Sequence, residues 1–414
     1  MGSQEKSVRP RLLIGTIRPS LTGIGGLRSM VNAVYAVLHK KYEIGFVNSP
    51  SSHSDPKHLS LGKIICGKWR VGQEQARWRE GKVLTIGRRF HYLEPLHYLD
   101  NAKEWIRCAQ YYQMLMVVSG TNQCGLAFAL SGRRYVCWIA ATTEDDKWAR
   151  KRDWPKIRQI IDTLWGSSLR YLEGYIYRRC SSILSLSAYT ANMIVNLHKM
   201  NRQNVQVLPY PIDIDWFSPS PDSSRWSNNK TIISVSRLND PRKNIRMLIK
   251  AFSWIKKEIP SARLILLGDK PNKGVVNLVG DLDLKGDILF PGSVPNKTTR
   301  DYYRQSSIFA LSSYQEGLGI SGLEAMSCGL PIVSTKCGGP EEYVKEGVTG
   351  FLVPINDEYQ MASKLIQLLS NSQLRKQLGL NARDYIVRDY SIEKFASRLK
   401  DVLASVWPEF HKGL

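Results

Sequence analysis

The chain is short of acidic residues, of paired cysteines and of long apolar runs. No apolar stretch in its 414 residues approaches the roughly 18 to 20 that a membrane-spanning helix needs. Met114 to Val118 is the longest candidate and reads as a strand. The opening MGSQEKSVRPRLLIG has no apolar signal core, which argues against secretion. Lys6 stands where a myristoylation pattern wants Ser or Thr. The seven cysteines show no Cys-x-x-Cys spacing, so a disulfide scaffold and a structural zinc site are not expected, and the thiols read as reduced and cytoplasmic. There is no phosphate-binding P-loop, no Gly-x-Ser-x-Gly elbow and no internal repeat. Asp213-Ile214-Asp215 and Asp281-Leu282-Asp283 have a spacing used by some metal sites, but no His or third carboxylate accompanies either, so they read as solvated turns and no metal is expected.

What is present is positive charge. Lys and Arg number 58 against 36 Asp and Glu, a formal net charge of +22. Such an excess implies an anionic partner: nucleic acid, an acidic membrane surface or a phosphorylated small molecule. It is uneven, +15 over residues 1–215 and +7 over the remainder. With 43% hydrophobic and 23% charged residues the composition is globular, and the length calls for roughly two or three domains.

Hydrophobic patterning supplies the architecture. Arg11 to Thr16 reads as a strand, Gly23-Ile24-Gly25-Gly26 as a glycine turn, and Leu27, Met30, Val31, Val34, Val37 and Leu38 recur at helical spacing. Further strands are expected at Tyr42 to Val47, Val83 to Ile86, Met114 to Ser119, Tyr135 to Ala140 and Ser182 to Leu186. Residues 211–229, rich in Pro, Ser and Asn, read as a linker. A second β/α series follows, with strands at Thr231 to Ser236, Arg263 to Leu267, Asp287 to Phe290, Ser307 to Leu311 and Pro331 to Ser334. Three helical stretches close the chain at Asp357 to Ser370, Gln373 to Val387 and Ile392 to Trp407. The reading is α/β: two Rossmann-like domains, 1–210 and 230–390, facing across a cleft at the carboxyl ends of their strands, where ligands bind in this architecture.

Three clusters can carry chemistry. Glu316-Gly317-Leu318-Gly319-Ile320-Ser321-Gly322-Leu323-Glu324 follows a strand and opens a helix. Its glycines allow close backbone approach and the helix start offers free N–H groups to a phosphate. Glu316 and Glu324 can face one cleft as acceptors for sugar hydroxyls, although the same spacing suits an ordinary glycine turn with a solvated glutamate. Arg237 and Lys243 flank a strand–helix loop and can hold a diphosphate, or serve as two more surface cations. Gly25 and Gly26 suit a phosphate or sugar but lack the spacing of a dinucleotide site.

Taken together, residues Thr231 to Pro354 resemble the donor domain of glycosyltransferase family 4, retaining enzymes of the GT-B fold. The resemblance is carried by SVSRL…K at Ser234 to Lys243, LILLGD at Leu264 to Asp269, FPGSV at Phe290 to Val294, and EGLGISGLEAMSCGLPIVSTKCGGPEEYVKEGVTGFLVP at Glu316 to Pro354. A weaker likeness covers the first strand, the glycine loop and Ser187-Ala188-Tyr189-Thr190. The resemblance implies that Arg237 and Lys243 bind the donor diphosphate. Glu316 would contact the donor sugar, with the backbone of Gly317, Leu318, Gly319 and Ile320 nearby. Glu324 would bind the ribose, the backbone around Val294 would meet the base, and Gly25 and Gly26 would lie against the diphosphate from across the cleft. It implies a UDP-sugar in preference to a GDP-sugar, a hydroxyl acceptor (glycan, lipid, protein or small molecule), no cofactor and no metal, and a C-terminal helix, 391–414, packed back on the first domain.

The sequence departs from the family where many members carry a His-Asp pair. It reads Cys137-Trp138-Ile139-Ala140-Ala141-Thr142-Thr143-Glu144-Asp145-Asp146, without His, and leaves Thr142, Thr143, Glu144 and Asp145 as acceptor-side candidates. Pro209-Tyr210-Pro211 stands where Asn-Gly is often found. Lys147 to Arg179, expected as one helical stretch with nine basic and three acidic residues, and the Arg-rich Trp69 to Arg89 are candidates for contact with an anionic membrane or acceptor, placing the protein in the cytoplasm or peripherally at the inner face of the membrane. Rival readings are a GT-B-like epimerase or phosphorylase, and a non-catalytic basic protein binding membrane or nucleic acid.

Overall fold

A computed structural model describes residues 9–16, 26–49, 57–58, 71–88, 102–148, 151, 155–220 and 230–410. The first sheet takes β1 (Arg11–Thr16), β2 (Glu43–Asn48), β3 (Gln73–Trp78), β4 (Gly81–Ile86), β5 (Met114–Ser119), β6 (Val136–Ile139), β7 (Ser182–Ser185) and β8 (Val205–Val207) in the order β3-β4-β2-β1-β5-β6-β7-β8. The second takes β9 (Thr231–Val235), β10 (Arg263–Leu267), β11 (Ile288–Gly292), β12 (Ile308–Leu311), β13 (Ile332–Thr335) and β14 (Gly350–Val353) in the order β11-β10-β9-β12-β13-β14. All pairings are parallel except β3 with β4. The central strands read as unbroken apolar runs, MLMVVS in β5 and IFAL in β12. A parallel sheet covered by helices on both faces requires that pattern.

The helices used below are α1 (Gly26–Leu38), α2 (Ala102–Ala109), α3 (Leu126–Leu130), α4 (Thr143–Trp148), α5 (Lys156–Arg179), α6 (Ala188–His198), α7 (Ile245–Glu258), α8 (Lys273–Asp281), α9 (Asn296–Gln305), α10 (Ile320–Ser327), α11 (Glu358–Ser370), α12 (Ser372–Asp389) and α13 (Ile392–Val406). Amphipathic spacing explains their docking. In α7 the buried Ile245, Leu248, Ile249, Phe252 and Ile255 recur every three or four residues and cover the second sheet.

One apolar cluster runs through both sheets, from Leu12 and Trp138 to Phe309 and Trp407. The closing helix α13 contributes to it: Phe395 lies 5.0 Å from the Trp138 ring. Arg134 Nη1 donates to the Val406 carbonyl at 2.7 Å, and its guanidinium meets Glu409. The stretch read as a linker is anchored over its described part. Ile212 N donates to Tyr390 O at 2.8 Å. The buried Phe217 accepts at its carbonyl from Ser327 Oγ at 2.6 Å and from Arg383 Nη1 at 2.9 Å. Residues 221–229 lie outside the described residues.

Three strands escaped the sequence reading. β3, with Glu74 and Arg77 solvated, is an antiparallel edge strand that buries too little to show apolar alternation. Thus much of Trp69 to Arg89 is a β-hairpin. β8 is three residues long, and β14 starts at Gly350, where a Cβ would sit 1.9 Å from the Ile332 carbonyl. Among the described residues, the basic stretch from Lys147 to Arg179 takes in the end of α4 and the whole of α5. Pro155, with φ −53° and ψ 144°, stands at the N-cap of α5.

Candidate active site

The carboxyl end of β12 opens into Ser312 and Ser313 and then the Glu316 turn. Glu316 is held by its backbone first. Its N–H donates to Cys337 O at 2.8 Å and its carbonyl accepts from Gly339 N at 2.9 Å. The turn therefore lies alongside the loop after β13. Its carboxylate oxygen Oε1 accepts from Lys243 Nζ at 2.6 Å and from Ser313 Oγ at 2.6 Å. Both side chains of the ion pair are largely buried, with 15% of Lys243 and 13% of Glu316 exposed. A buried charge pair of this kind is costly to break from one side.

Lys243 reaches that position because β9 ends in a tight loop. Asp240 caps a 3₁₀ turn over Pro241–Lys243, and Asn244 turns the chain at φ 47°. Ser312 Oγ donates to the Lys243 carbonyl at 2.9 Å, tying this loop to the end of β12. Arg237 pairs with Asp240 at 2.5 Å and keeps 55% of its side chain exposed. Two cations thus stand on one strand–helix loop, one enclosed and one at the rim.

The glycines of the turn are required by close approach. A Cβ on Gly317 would lie 2.1 Å from the Ala140 carbonyl, which belongs to the first domain, so this turn touches the end of β6. Gly319 adopts φ +78° immediately before α10, whose start has no side-chain cap. That leaves the helix N-terminus available to an anion. Leu318 is buried in the core, so only its backbone is presented, and Ile320 begins α10 half-buried. One turn further, Glu324 Oε2 accepts from Tyr303 Oη at 3.1 Å. Burial pushes the Glu324 carboxyl up to about 7, and the Tyr303 bond opposes that shift. Tyr210 hydrogen-bonds Ser29 of α1 and lies close enough to Glu324 to feel its charge, which links the start of α1 to this carboxyl. Val294 follows β11 two residues after Gly292, and Ser293 Oγ donates to Gly268 O at 3.2 Å, so it sits at the same edge of the sheet. Gly26 is the first residue of α1, while Gly25 lies outside the described residues.

The first domain contributes the residues after β6. Thr142 Oγ1 donates to Asp145 Oδ2 at 3.0 Å, and Tyr189 Oη donates to Asp145 Oδ1 at 3.0 Å. Burial raises the Asp145 carboxyl, with these two bonds pulling the other way. Thr143 is turned beneath, donating to Glu173 Oε1 at 3.1 Å in a buried network with His198. Glu144 is set apart from the others: more than half exposed, it pairs with Arg170 at 3.2 Å on the outer surface. The fixing partners Tyr303 and Tyr189 act over 21 and 44 residues, contacts that linear spacing does not mark, whereas Ser313 and Asp240 act locally, three residues from Glu316 and Arg237. Among the described residues no group of three His, Cys, Asp or Glu side chains is placed to hold a metal.

Residues 220–385 match the family model described as glycosyl transferases group 1, so the donor half is a domain of that GT4-like family. The N-acetyl-alpha-D-glucosaminyl L-malate synthase of Bacillus anthracis is 31% identical over 187 residues, 45% of this chain and 48% of that one. The GDP-mannose-dependent alpha-(1-6)-phosphatidylinositol monomannoside mannosyltransferase of Mycolicibacterium smegmatis is 26% identical over 212 residues, covering 48% and 55%. The chain spans about half the length of the curated relatives it matches. Among solved structures, Anabaena HepE in complex with UDP has a TM-score of 0.71 at 17% identity, covering 95% of this chain and all of that one. The sucrose-phosphate synthase of Thermosynechococcus elongatus has a TM-score of 0.76 at 16% identity, covering 97% and 100%. The fold is GT-B, two Rossmann-like domains facing each other, as the motifs implied.

Proposed function

We propose that this protein transfers a sugar from a nucleoside-diphosphate sugar to a hydroxyl acceptor with retention of configuration and without a metal. The observation that carries the reading is the enclosed Lys243–Glu316 pair at 2.6 Å, beside an uncapped helix start and the second cation Arg237. Lys243, Arg237 and the α10 N-terminus supply positive charge where a leaving diphosphate needs it. The glycosyl–phosphate bond breaks with its electron pair going to the diphosphate. The acceptor oxygen bonds to the same face of the sugar carbon, and its proton passes to the departing phosphate. Glu316 contacts the donor sugar and Glu324 the ribose. A UDP-sugar is favoured over a GDP-sugar: HepE is described in complexes with UDP and UDP-glucose, although a GDP-mannose-dependent enzyme stands among the relatives.

A donor screen tests this, with UDP-glucose, UDP-N-acetylglucosamine and GDP-mannose offered in water and products read by mass spectrometry. Released sugar and nucleoside diphosphate are expected. Thermal stabilisation by heparin alone, with none by UDP or GDP and no product, would replace the transferase reading with that of a basic binding protein.

A second reading concerns the acceptor side. On α5, Ile160, Leu164 and Tyr171 are 59%, 71% and 67% exposed along one stripe, with Trp165 beside them. No helix among the described residues is long and apolar enough to cross a membrane. An exposed apolar stripe on the half that carries +15 suits peripheral contact with an anionic bilayer at the inner face of the membrane. Flotation with phosphatidylglycerol vesicles at physiological salt, and its loss in Leu164→Glu, is the expected result; failure of the wild type to float discards the contact.

A further inference from the structure

We propose that Tyr189 is a positioning residue that sets the Asp145 carboxylate against the Glu316 turn across the domain boundary, so that Asp145 holds the acceptor hydroxyl by accepting its hydrogen bond in the bound complex, before that proton turns to the departing phosphate. The inference rests on the transferase reading above. It starts from the two ends of one side chain. Ser187 caps α6 through Thr190 N, which fixes Tyr189 in the first turn of that helix. The Tyr189 ring lies against Gly338 of the other domain: a Cβ there would sit 2.8 Å from Cδ1, and Gly338 holds φ +101°. Gly338 in turn pairs with Glu316 in a parallel bridge. The Tyr189 N–H donates to Glu342 Oε1 at 3.0 Å, a second tie to the same loop. The phenol oxygen at the far end donates to Asp145 Oδ1 at 3.0 Å.

Packing against Gly338 needs only the ring, and phenylalanine would serve it equally. The hydroxyl has a separate task, which is to orient Asp145. With Thr142 Oγ1 bonded to Oδ2 at 3.0 Å, each carboxylate oxygen has one protein donor among the described residues, and a carboxylate accepts about four hydrogen bonds in all. Each oxygen therefore keeps a lone pair for an incoming hydroxyl. Gly317 against Ala140 O shows that the donor turn reaches this part of the first domain. Other titratable groups lie near Asp145: Glu173 and Tyr177 on α5, and on α4 Glu144, whose side chain turns outward. The two glutamates raise its pKa, while the Tyr189 and Thr142 bonds lower it. Losing the phenol bond therefore makes Asp145 harder to ionise.

The test uses the full chain, water as acceptor, and whichever of UDP-glucose, UDP-N-acetylglucosamine and GDP-mannose the wild type hydrolyses. Tyr189→Phe is expected to lower kcat about tenfold, to leave the donor KM within about twofold, and to move the acid limb of the kcat profile to higher pH. In an Asp145→Asn background it should add nothing, since both changes remove one function. Equal kcat and an unmoved acid limb in Tyr189→Phe, or independent losses that multiply in the double variant, overturn the inference alone. A wild type that neither binds UDP or GDP nor hydrolyses any donor overturns the transferase reading and this inference with it.

Discussion

The donor half and the acceptor half solve the same problem by different means. In the donor half the functional groups sit within a few residues of strand ends. Lys243 follows β9, Glu316 follows β12, and glycines let the backbone fold tightly between them. Local backbone geometry places the chemistry, so it is written in short motifs. In the acceptor half, Asp145 is oriented by Tyr189, 44 residues away, and Thr143 by Glu173, 30 residues away. There the site is a product of packing.

The largest expected effect lies on the donor side. Glu316→Ala removes the partner of an enclosed lysine and, in the proposed reaction, the contact to the donor sugar. Turnover should fall by about a thousandfold or more, while circular dichroism keeps the folded spectrum, since the turn is also held by backbone bonds to Cys337 and Gly339, and Tm falls because Lys243 loses its enclosed partner. Turnover within tenfold of wild type would show that the donor half does not depend on this carboxylate. Lys243→Ala comes next. It should raise the donor KM and lower kcat together, for a loss of about a hundredfold in kcat/KM, because in the proposed reaction the ammonium acts on both the bound and the departing phosphate. Steady-state kinetics decides it, and a change in neither constant removes the phosphate role.

How much of this was legible in the sequence follows the same division. The strands β1, β5 and β10 appear at the residues their apolar runs indicate. The Glu316–Glu324 turn declared both its glycines and its carboxylates. What spacing did not show was that Lys243 and Glu316, 73 residues apart, form one ion pair. Nor did it show that Tyr303 caps Glu324, because a tyrosine inside a polar helix carries no mark of its far contact. On the acceptor side the four residues Thr142, Thr143, Glu144 and Asp145 are adjacent and equally polar in the sequence. Only the fold separates them, since α4 turns Glu144 outward and Asp145 inward.

A smaller effect sharpens the donor side through pH. The folded Glu324 carboxyl titrates near 7, against 4.5 for an ordinary glutamate. Between those values the folded state binds more protons than the unfolded, so this group makes stability fall as pH rises from about 4.5 to 7. If the ionised form receives the ribose hydroxyls, UDP affinity should weaken below pH 7 by up to about tenfold per pH unit. Isothermal titration from pH 5.5 to 8 should show this slope in the wild type and its loss in Glu324→Gln. A wild type whose affinity is flat across that range would place the ribose elsewhere.

The smallest expected effect tests the acceptor side of the comparison. Glu144 and Asp145 are neighbours in the chain, yet Glu144 is 54% exposed at its side chain and pairs with an Arg170 that is 52% exposed. An exposed pair of this kind contributes roughly 0 to 1 kcal/mol, because water screens the charges and both side chains lose freedom in forming it. Glu144→Ala should therefore leave donor hydrolysis within about twofold of wild type. Asp145→Asn, which keeps the shape of a buried side chain and removes its charge, should cost at least about tenfold. Because the two substitutions stand at adjacent positions in one short helix, a shared helix disturbance would lower both. A loss in Glu144→Ala as large as in Asp145→Asn would mean that charge near this helix, rather than the packed orientation of one carboxylate, governs the acceptor side. The contrast between the two halves would then disappear.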